Sequence, residues 1–482
     1  MRILVNMQYY QGKSIRGLSI FHALQDYIEG WTELREDLFV YVLLPARTGR
    51  APKWDYTEED LPNERCGILE AIPFGVMSGE TVVNPTINLV PSPDEARYHF
   101  PKMFEWYYDV CFDLRGLHVP HLKTILNRGV RQKSEYTPVV LLCHDAVVKS
   151  KEDHYEEKTA LMELYNVLQA DDVIFYTESD RTAIAKENCL RWATPAQARW
   201  LLSRQISKVP MEFGRIEKLR PQFDEKRKSR KTVALGYFAS FWKAKRVGEI
   251  MSIFNKIHAM YGSKLTVTSM KKKLPEIMDQ SWIDFFPECG RDQYIPKLGE
   301  SDVVIVGSQH ETGGRGYWEA LMAGNVLVVK REEWNHAFVP DWYPYVGDTW
   351  EEVEKLTFYV VKNIEEARKE SAKLEMHIKE LLDYRNSSKI ILDVFDSVIP
   401  EKRDSYGGKI ADLVTKAVTN VADKKKKFTL TDVNIETGKL ANNRMKLLDT
   451  KFMSPKTFCR MIETCGYVDD HRSIIPTFHL EK

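Results

Sequence analysis

The residues best suited to chemistry lie in one run, His310-Glu-Thr-Gly-Gly-Arg-Gly-Tyr-Trp-Glu-Ala-Leu-Met-Ala-Gly324. Two carboxylates, Glu311 and Glu319, stand eight positions apart in it, with a glycine-rich turn between them. A helix that begins near Arg315 would direct its free N–H groups and its positive dipole end at the turn, which favours phosphate. Both carboxylates can accept hydrogen bonds from hydroxyl groups. The run therefore predicts a site for a diphosphate between two polyhydroxy groups, which is the layout of a nucleotide-sugar.

Strands and helices must position this run, and their pattern is that of a doubly wound α/β fold, because short apolar runs alternate with helical patterns. Strands are predicted at 2–7, 38–44, 138–143, 172–176, 232–236, 264–268, 303–306 and 325–329. Helices are predicted at 17–29, 157–170, 247–260 and 315–323, with a long charged helical region at 351–384. The strand at 303–306 would lead into the turn, where Gly313 and Gly314 allow a ligand to approach the backbone closely.

The length of the chain predicts more than one hydrophobic core. At 482 residues it exceeds what a single core usually supports, so we expect two α/β domains and an appendage. The charged stretch 224–231 indicates an interdomain linker, and the second α/β unit starts at Thr232. From residue 400 onward the pattern changes, which predicts a small C-terminal appendage that is a packing flap, an oligomer contact or a recognition module.

Composition narrows the class of protein. Hydrophobic residues make up 43% and charged residues 29% of the chain, and the formal net charge of zero gives no basic field for nucleic acid. Seven cysteines stand without CxxC or metal-ligand spacing, which favours reduced thiols. No apolar run reaches the ~18 residues that cross a bilayer, and the N-terminus lacks a signal-peptide pattern. We therefore expect a cytoplasmic protein that does not associate with a membrane.

A second candidate pair follows the predicted strand at 138–143. His144 and Asp145 come directly after it, and ligands of open α/β sheets lie at the carboxyl ends of strands. A lone histidine at such a place is more often structural, so the functional interpretation of the pair depends on the run of residues around it. That run continues through a helical pattern to Gln169-Ala-Asp-Asp-Val-Ile-Phe-Tyr-Thr-Glu-Ser179.

These motifs resemble the retaining GT-B glycosyltransferases, especially the large family 4. The resemblance rests on the Glu311–Glu319 spacing followed by Ala-Leu-Met-Ala-Gly and on the His144-Asp145 run. In that family the first glutamate contacts the donor sugar and the second holds the ribose of the nucleotide. The resemblance implies an α/β architecture of two Rossmann-like domains with a small C-terminal appendage. Residues 1–222 would be the acceptor domain, 231–361 the nucleotide-sugar donor domain, 362–397 helices that return to the first domain, and 400–482 the appendage.

The resemblance also implies how the diphosphate is neutralised. Lys243 would take the role of the family's lysine, although it stands one position late. Tyr237 occupies the place of the family's arginine, so Arg246 or Arg315 would replace it. Charge develops on the leaving group, and fixed cations nearby lower the barrier. The predicted donor-binding set is Gly12, Gly17, Lys243, Arg246, Glu311, Thr312, Gly313, Gly314, Arg315 and Glu319.

At the reacting centre the resemblance implies a catalytic set of His144, Asp145 and Glu311. His144 would hydrogen-bond the donor, and Asp145 would orient that imidazole or the acceptor. Gly12 and Gly17 both match a glycine that lets the substrates approach the first loop, and an ordinary strand-to-helix turn explains them equally well. Donor phosphate oxygens would take the acceptor proton, with retention at the anomeric carbon. No Asp-x-Asp pair stands at a strand end, so we expect no metal and no cofactor beyond a nucleotide-sugar, for which UDP is the commonest nucleotide.

The acceptor stays open at this point. Residues 1–7, the His144-Asp145 run and Trp242-Lys243 resemble segments of the phage DNA α-glucosyltransferases, which glucosylate hydroxymethylated cytosine. The Lys424–Lys427 run and the aromatic residues at 104–108 suit an enzyme that binds DNA and extrudes a base. A polysaccharide, lipid or small-molecule acceptor is the alternative. So is a non-catalytic protein on the same scaffold that binds a nucleotide-sugar or DNA.

Overall fold

Two parallel β-sheets, with the helices that connect their strands, form most of the described structure, as the alternating pattern predicts. The computed structural model describes residues 1–7, 19–45, 57–63, 65–71, 108–114, 119–127, 136–143, 157–241, 243–269, 271–287, 289–311, 313–400, 416–424, 428–429, 432–433, 435–436, 467–469 and 477–480. The predicted site residues Gly12, Gly17, His144, Asp145 and Thr312 lie outside these ranges.

The first sheet has seven parallel strands in the order β3-β2-β1-β4-β5-β6-β7. Its strands are β1 (Arg2–Asn6), β2 (Phe39–Pro45), β3 (Cys66–Ala71), β4 (Val110–Asp113), β5 (Val139–Cys143), β6 (Asp172–Phe175) and β7 (Gln205–Ile206). Leu4 of β1 pairs with Tyr41 of β2 on one side and Cys111 of β4 on the other. The strand order reverses between β1 and β4, the kind of switch point at which open α/β sheets bind ligands. The sequence did not predict β3 and β4.

The second sheet has six parallel strands in the order β10-β9-β8-β11-β12-β13. They are β8 (Leu235–Tyr237), β9 (Leu265–Ser269), β10 (Ile283–Pro287), β11 (Val303–Val306), β12 (Val326–Lys330) and β13 (Val346–Gly347). Val303 pairs with Leu235 of β8 and Val326 of β12, so β11 lies in the centre of the sheet. The prediction of a buried strand at 303–306 is confirmed. Strand β10 was missed because it lies at the sheet edge and is only partly buried.

Helices cover the sheets and connect the strands. They are α1 (Ser19–Leu34), α2 (Val119–Leu126), α3 (Glu157–Gln169), α4 (Glu178–Thr182), α5 (Cys189–Trp192), α6 (Pro195–Leu202), α7 (Gly214–Ser229), α8 (Val247–Tyr261), α9 (Arg291–Leu298), α10 (Arg315–Met322), α11 (Trp350–Lys362), α12 (Ile364–Leu381) and α13 (Tyr384–Val398). The predicted charged helical region at 351–384 is helical and is divided into α11 and α12, with α13 beginning at its end. The α/β fold with two Rossmann-like domains is confirmed.

The charged stretch at 224–231 is not an extended linker, because most of it forms the end of α7. Phe223 is buried against Gly299, where an added Cβ would meet the phenyl ring at 2.1 Å. Arg227 is also buried and donates to the Ser301 carbonyl at 3.1 and 3.2 Å. Lysine, arginine and glutamate favour helices, so this run of charges belongs to a helix anchored on the second domain. The chain passes between the two domains at residues 207–213.

Helix α13 returns the chain to the first domain and packs against α1. The Trp31 indole of α1 meets the Phe395 ring edge-on, with centroids 5.6 Å apart. At the exposed edge of the contact between α1 and α13, Arg35 Nη1 donates to Asp396 Oδ1 at 2.7 Å. A buried aromatic contact contributes more than such an exposed ion pair, so the apolar face of α13 anchors the return.

Part of the appendage also packs on the first domain. Ala417, Val418 and Val421 are buried in the same cluster as Leu164 and Val167 of α3. The strands β14 (Phe428–Thr429), β15 (Tyr467–Asp469) and β16 (Thr477–Leu480) form an antiparallel sheet in the order β14-β16-β15. Within the described ranges, no helix combines the length and the apolar character that crossing a membrane requires.

Candidate functional site

The glycine-rich turn leads from β11 into α10, at the carboxyl end of the second sheet. Helix α10 begins at Arg315, as predicted, and Gly314 precedes it in the left-handed region with φ +61°. An added Cβ on Gly314 would meet the Trp334 ring at 2.8 Å, and one on Gly313 would meet Val209 at 2.0 Å. Both glycines are therefore required by packing, and Gly313 lies directly against the connection between the domains.

Glu319 lies on α10 and is fixed by two arginines. Its Oε1 accepts from Arg291 Nη1 at 2.8 Å and from Arg315 Nε at 2.9 Å. Burial opposes ionisation of this carboxyl, but the charges and hydrogen bonds of Arg291 and Arg315 outweigh it and lower the pKa to about 2. Glu319 is thus a rigid anion at neutral pH and suits a hydroxyl donor.

Arg315 extends this network to the first domain. Its Nη1 lies 2.8 Å from Oδ2 of Asp26 on α1 and donates to the Pro210 carbonyl at 3.2 Å. The Arg315 side chain is only 8% exposed. Its charge is therefore directed at Asp26 and Glu319, which weighs against the prediction that Arg315 binds the phosphate.

Helix α1 contributes residues that the sequence prediction missed. Asp26 is buried, which raises its pKa to about 6 although the charge of Arg315 partly offsets the effect. One turn earlier, burial and the charges of Arg291 and Arg315 lower the pKa of His22 to about 4. A histidine and an aspartate four positions apart lie on one face of a helix, and this spacing is a signal that could have revealed this contact.

Glu311 lies on the loop after β11 and pairs with a lysine that the sequence prediction passed over. Its Oε1 is 2.5 Å from Lys245 Nζ, and the two side chains are 19% and 16% exposed. Lys245 also approaches the His310 carbonyl at 3.4 Å. Lys243 is exposed at the start of the same turn of 3₁₀ helix, Lys243–Lys245. The structure thus places Lys245, two positions after the predicted residue, beside the first carboxylate.

Arg246 follows in the same loop and is oriented by a glutamine. Its Nη2 donates to Gln309 Oε1 at 2.6 Å. The Arg246 backbone has φ +53°, an uncommon left-handed conformation for a residue with a side chain. Strained backbone of this kind clusters at ligand sites. The predicted position of Arg246 near the diphosphate is compatible with this geometry.

Tyr237 occupies the position at which the sequence resemblance implies an arginine. Its ring is buried and stacks on Phe241 with centroids 5.9 Å apart, and its hydroxyl donates to the Ser240 carbonyl at 2.8 Å. Burial and the nearby charge of Glu311 raise the pKa of Tyr237 well above its ordinary value. Tyr237 is therefore a neutral residue that supports the loop.

Two charged clusters thus involve the carboxylates that flank the turn in the sequence. One joins Glu311 and Lys245, with Arg246 beside it, and the other joins Glu319 to Arg291 and Arg315. The remaining predicted residues Gly12, Gly17, His144, Asp145 and Thr312 are outside the described ranges. In the part of the chain that the structure describes, no group of three His, Cys, Asp or Glu side chains is arranged to hold a metal ion.

Solved structures that share this architecture identify the fold. The chain aligns with sucrose-phosphate synthase from Thermosynechococcus elongatus at a TM-score of 0.60 and 12% identity, over 82% of this chain and 98% of that one. It aligns with Anabaena HepE in complex with UDP and glucose at a TM-score of 0.55 and 14% identity, over 82% and 100%. A glycosyltransferase from Rickettsia africae gives 0.56 and 10% identity, over 83% and 99%. The fold is GT-B.

Sequence comparisons give a different result. No protein-family model and no curated protein sequence matches the chain. At identities of 10% to 14%, the structural likeness establishes the arrangement of elements only. The activity therefore has to be argued from the site.

Proposed function

We propose that the chain is a glycosyltransferase that takes its sugar from a nucleotide-sugar held by the second domain. The observation that carries the proposal is the pair Glu311 and Glu319, which flank the turn into α10 and are each paired with at least one basic side chain. Ligands of open α/β sheets bind at this edge, outside the carboxyl ends of the strands. Anabaena HepE, which shares the fold, was solved with UDP and glucose, so a UDP-sugar is the donor we test first.

Cations beside the turn suit the charge of a nucleotide-sugar diphosphate. Lys245 and Arg246 lie after β8, and helix α10 directs its N-terminal N–H groups at the same space. We assign the phosphate-binding role to Lys245 instead of Lys243, because Lys245 is half-buried and already oriented at Glu311. Its charge would stabilise the diphosphate as it leaves the sugar.

The remaining roles follow the sequence hypothesis. Glu319 would accept hydrogen bonds from the ribose hydroxyls, and Glu311 would accept them from the donor sugar. The acceptor hydroxyl would attack the anomeric carbon on the face from which the diphosphate leaves, and a phosphate oxygen would take its proton. His144 and Asp145 would lie at the reacting centre. This mechanism retains the anomeric configuration and uses no metal.

For the acceptor we propose first a hydroxymethylated pyrimidine base in DNA, from the resemblance to the phage enzymes. One observation weighs against the lysine run as a DNA contact, because Lys424 Nζ lies 3.7 Å from a carboxylate oxygen of Glu436. A polysaccharide, lipid or small-molecule acceptor therefore remains the alternative. We expect the assay below to separate the donor and the acceptor parts of the proposal.

The experiment measures UDP release from a panel of UDP-sugars, with hydroxymethylated DNA, unmodified DNA or no acceptor. We expect release with one sugar, and stimulation by hydroxymethylated DNA alone if the DNA hypothesis is correct. Lys245→Met should lower kcat at least tenfold, because it removes a charge that stabilises the leaving group. Lys243→Met, from the same turn, is the matched control and should retain most activity.

Three outcomes would contradict parts of the proposal. Binding of a UDP-sugar without turnover under any acceptor would favour the non-catalytic interpretation. Absence of both binding and turnover with every nucleotide-sugar tested would overturn the donor assignment. Equal losses for Lys243→Met and Lys245→Met would remove the specific role of Lys245.

A further inference from the structure

An ion pair joins the two domains beside Glu319. Asp26 on α1 of the first domain and Arg315 on α10 of the second approach to 2.8 Å, and their side chains are 11% and 8% exposed. Arg315 at the same time donates through Nε to Glu319 at 2.9 Å. A chain of charged contacts therefore runs from the first domain to the carboxylate that we assign to the ribose.

Burial opposes the charge of Asp26 in the folded protein. Burial raises its pKa from the ordinary 3.8 to about 6, so the attraction of Arg315 does not fully offset desolvation. The folded state then binds more protons than the unfolded state between these pH values, and its stability falls as pH rises through them. A buried charge that destabilises the fold needs a reason other than stability.

We propose that Asp26 is a positioning residue, which fixes Arg315 from across the cleft and, through Arg315, orients Glu319 for the nucleotide of the donor. The donor site would then be complete only when the two domains are together. This inference rests on the proposed function, because it takes Glu319 as the group that holds the ribose.

Several charged groups face Asp26 besides Arg315. Arg291 on α9 acts on it through its charge, Glu212 in the interdomain connection through its backbone, and Glu29 lies one turn further along α1. Burial, followed by the charges of Glu212, Asp26 and Glu33, raises the pKa of Glu29. The pKa values of about 4 for His22 and about 2 for Glu319 lie below the pKa of Asp26. Glu29 is therefore the control that any pH experiment needs.

The first test measures the affinity for UDP-glucose by calorimetry between pH 5 and 8. Asp26→Asn removes the charge and keeps the shape, and we expect at least tenfold weaker binding at pH 7.5. Wild-type affinity should fall toward that of the variant as the pH drops below about 6, whereas the variant should show no change there. Glu29→Gln, from the same helix, should bind like the wild type at every pH.

Thermal unfolding separates positioning from a purely structural role. In Asp26→Asn, Arg315 keeps Glu319 as a counter-ion, and the buried charge of Asp26 is removed. The unfolding temperature should therefore be unchanged or higher at pH 7.5, while binding is lost. A clear drop in unfolding temperature together with the loss of binding would assign Asp26 to stability and overturn the proposal.

The second test measures the distance between the domains without any donor. Nitroxide labels at Leu161→Cys in α3 and Ile277→Cys in the second domain occupy half-exposed positions. Pulsed electron paramagnetic resonance should give a longer or broader distribution of the distance between the two labels for Asp26→Asn than for Glu29→Gln. An unchanged distribution with unchanged UDP-glucose affinity would overturn the proposal. If the wild type itself fails to bind UDP-glucose, the proposed donor is wrong, and an unchanged distance distribution would then overturn the role of Asp26 independently.

Discussion

Glu311 and Glu319 flank the same turn, yet their surroundings differ sharply. The Glu319 side chain is 4% exposed and is held by arginines from α9 and α10. The Glu311 side chain is 19% exposed and pairs with a single lysine from another loop. One carboxylate thus belongs to a rigid buried network, and the other to a more exposed ion pair.

This difference indicates how a ligand would be received. A planar guanidinium presents its donors in a fixed geometry, whereas a lysine ammonium is a point charge on a flexible chain. The Lys245–Glu311 pair can therefore exchange for contacts to a phosphate and a sugar hydroxyl. The contacts of Glu319 with Arg291 and Arg315 are buried and cannot be replaced so readily. If the proposed roles hold, the nucleotide end of the site would be preformed and the sugar end would adjust on binding.

The largest effect should come from breaking the rigid network. Glu319→Gln leaves Arg291 and Arg315 without their shared buried counter-ion, which typically costs about 3–5 kcal/mol of unfolding free energy. Urea denaturation at pH 7 measures it, with Glu351→Gln on the exposed surface of α11 as the control. A loss as small as that of the control would show that the arginines find other partners.

Acid should weaken the same network in the wild type. The pKa of Glu319 is lowered from 4.5 to about 2, so its contribution is present above pH 4.5 and is lost as the pH falls through 2. A shift of that size corresponds to about 3 kcal/mol. The stability curves of wild type and Glu319→Gln should therefore approach each other between pH 4.5 and 2. Parallel curves over this range would contradict the lowered pKa.

The turn between the carboxylates should tolerate little added volume. A Cβ on Gly313 would lie 2.0 Å from Val209, so Gly313→Ala should cost about 1–3 kcal/mol through overpacking. A Cβ added to Gly248 in α8 would have no atom within 4 Å, so Gly248→Ala should add about 0.5–1 kcal/mol of stability. Denaturant titration of both variants tests this. If Gly313→Ala and Gly248→Ala changed the unfolding free energy equally, Val209 would have to move to accommodate the added methyl group at no cost.

The smallest effect on stability should come from breaking the partly exposed Glu311–Lys245 ion pair. Glu311→Gln breaks one partly exposed ion pair, which contributes about 0–1 kcal/mol to unfolding free energy. Turnover of the donor sugar should nevertheless fall at least tenfold, because the sugar loses its carboxylate contact. Denaturation and steady-state kinetics on one preparation measure both. Full activity in this variant would remove Glu311 from the catalytic set.

Local patterns predicted the parts of the site that depend on neighbouring residues. The apolar run at 303–306 and the start of α10 at Arg315 appear as expected, because a central strand and a glycine-rich turn are encoded within a few residues. Helix α9 was missed, since it carries Pro296 and a strongly polar sequence. The stretch at 224–231 was misinterpreted as a linker, because a run of charges fits both a linker and a solvated helix face.

Charge pairing could not be predicted in the same way. Lys243 and Lys245 lie at the two ends of a short 3₁₀ turn, and Lys245 is the one that contacts Glu311. Which lysine makes this contact depends on the direction in which each side chain leaves the turn. A motif that tolerates variable spacing does not fix this geometry. The sequence therefore predicted a lysine in this loop, and only the structure shows that Lys245 is the one paired with Glu311.

The sequence by itself determined that this chain forms two doubly wound α/β units and that two carboxylates flank a glycine-rich turn. Apolar periodicity and glycine placement act over short stretches, and they suffice for that conclusion. Only the tertiary structure decided which cations meet those carboxylates, and that Asp26 reaches Arg315 from the other domain. Such pairs form between residues far apart in the chain, because burial and distance, and not local pattern, determine the energy of a charge.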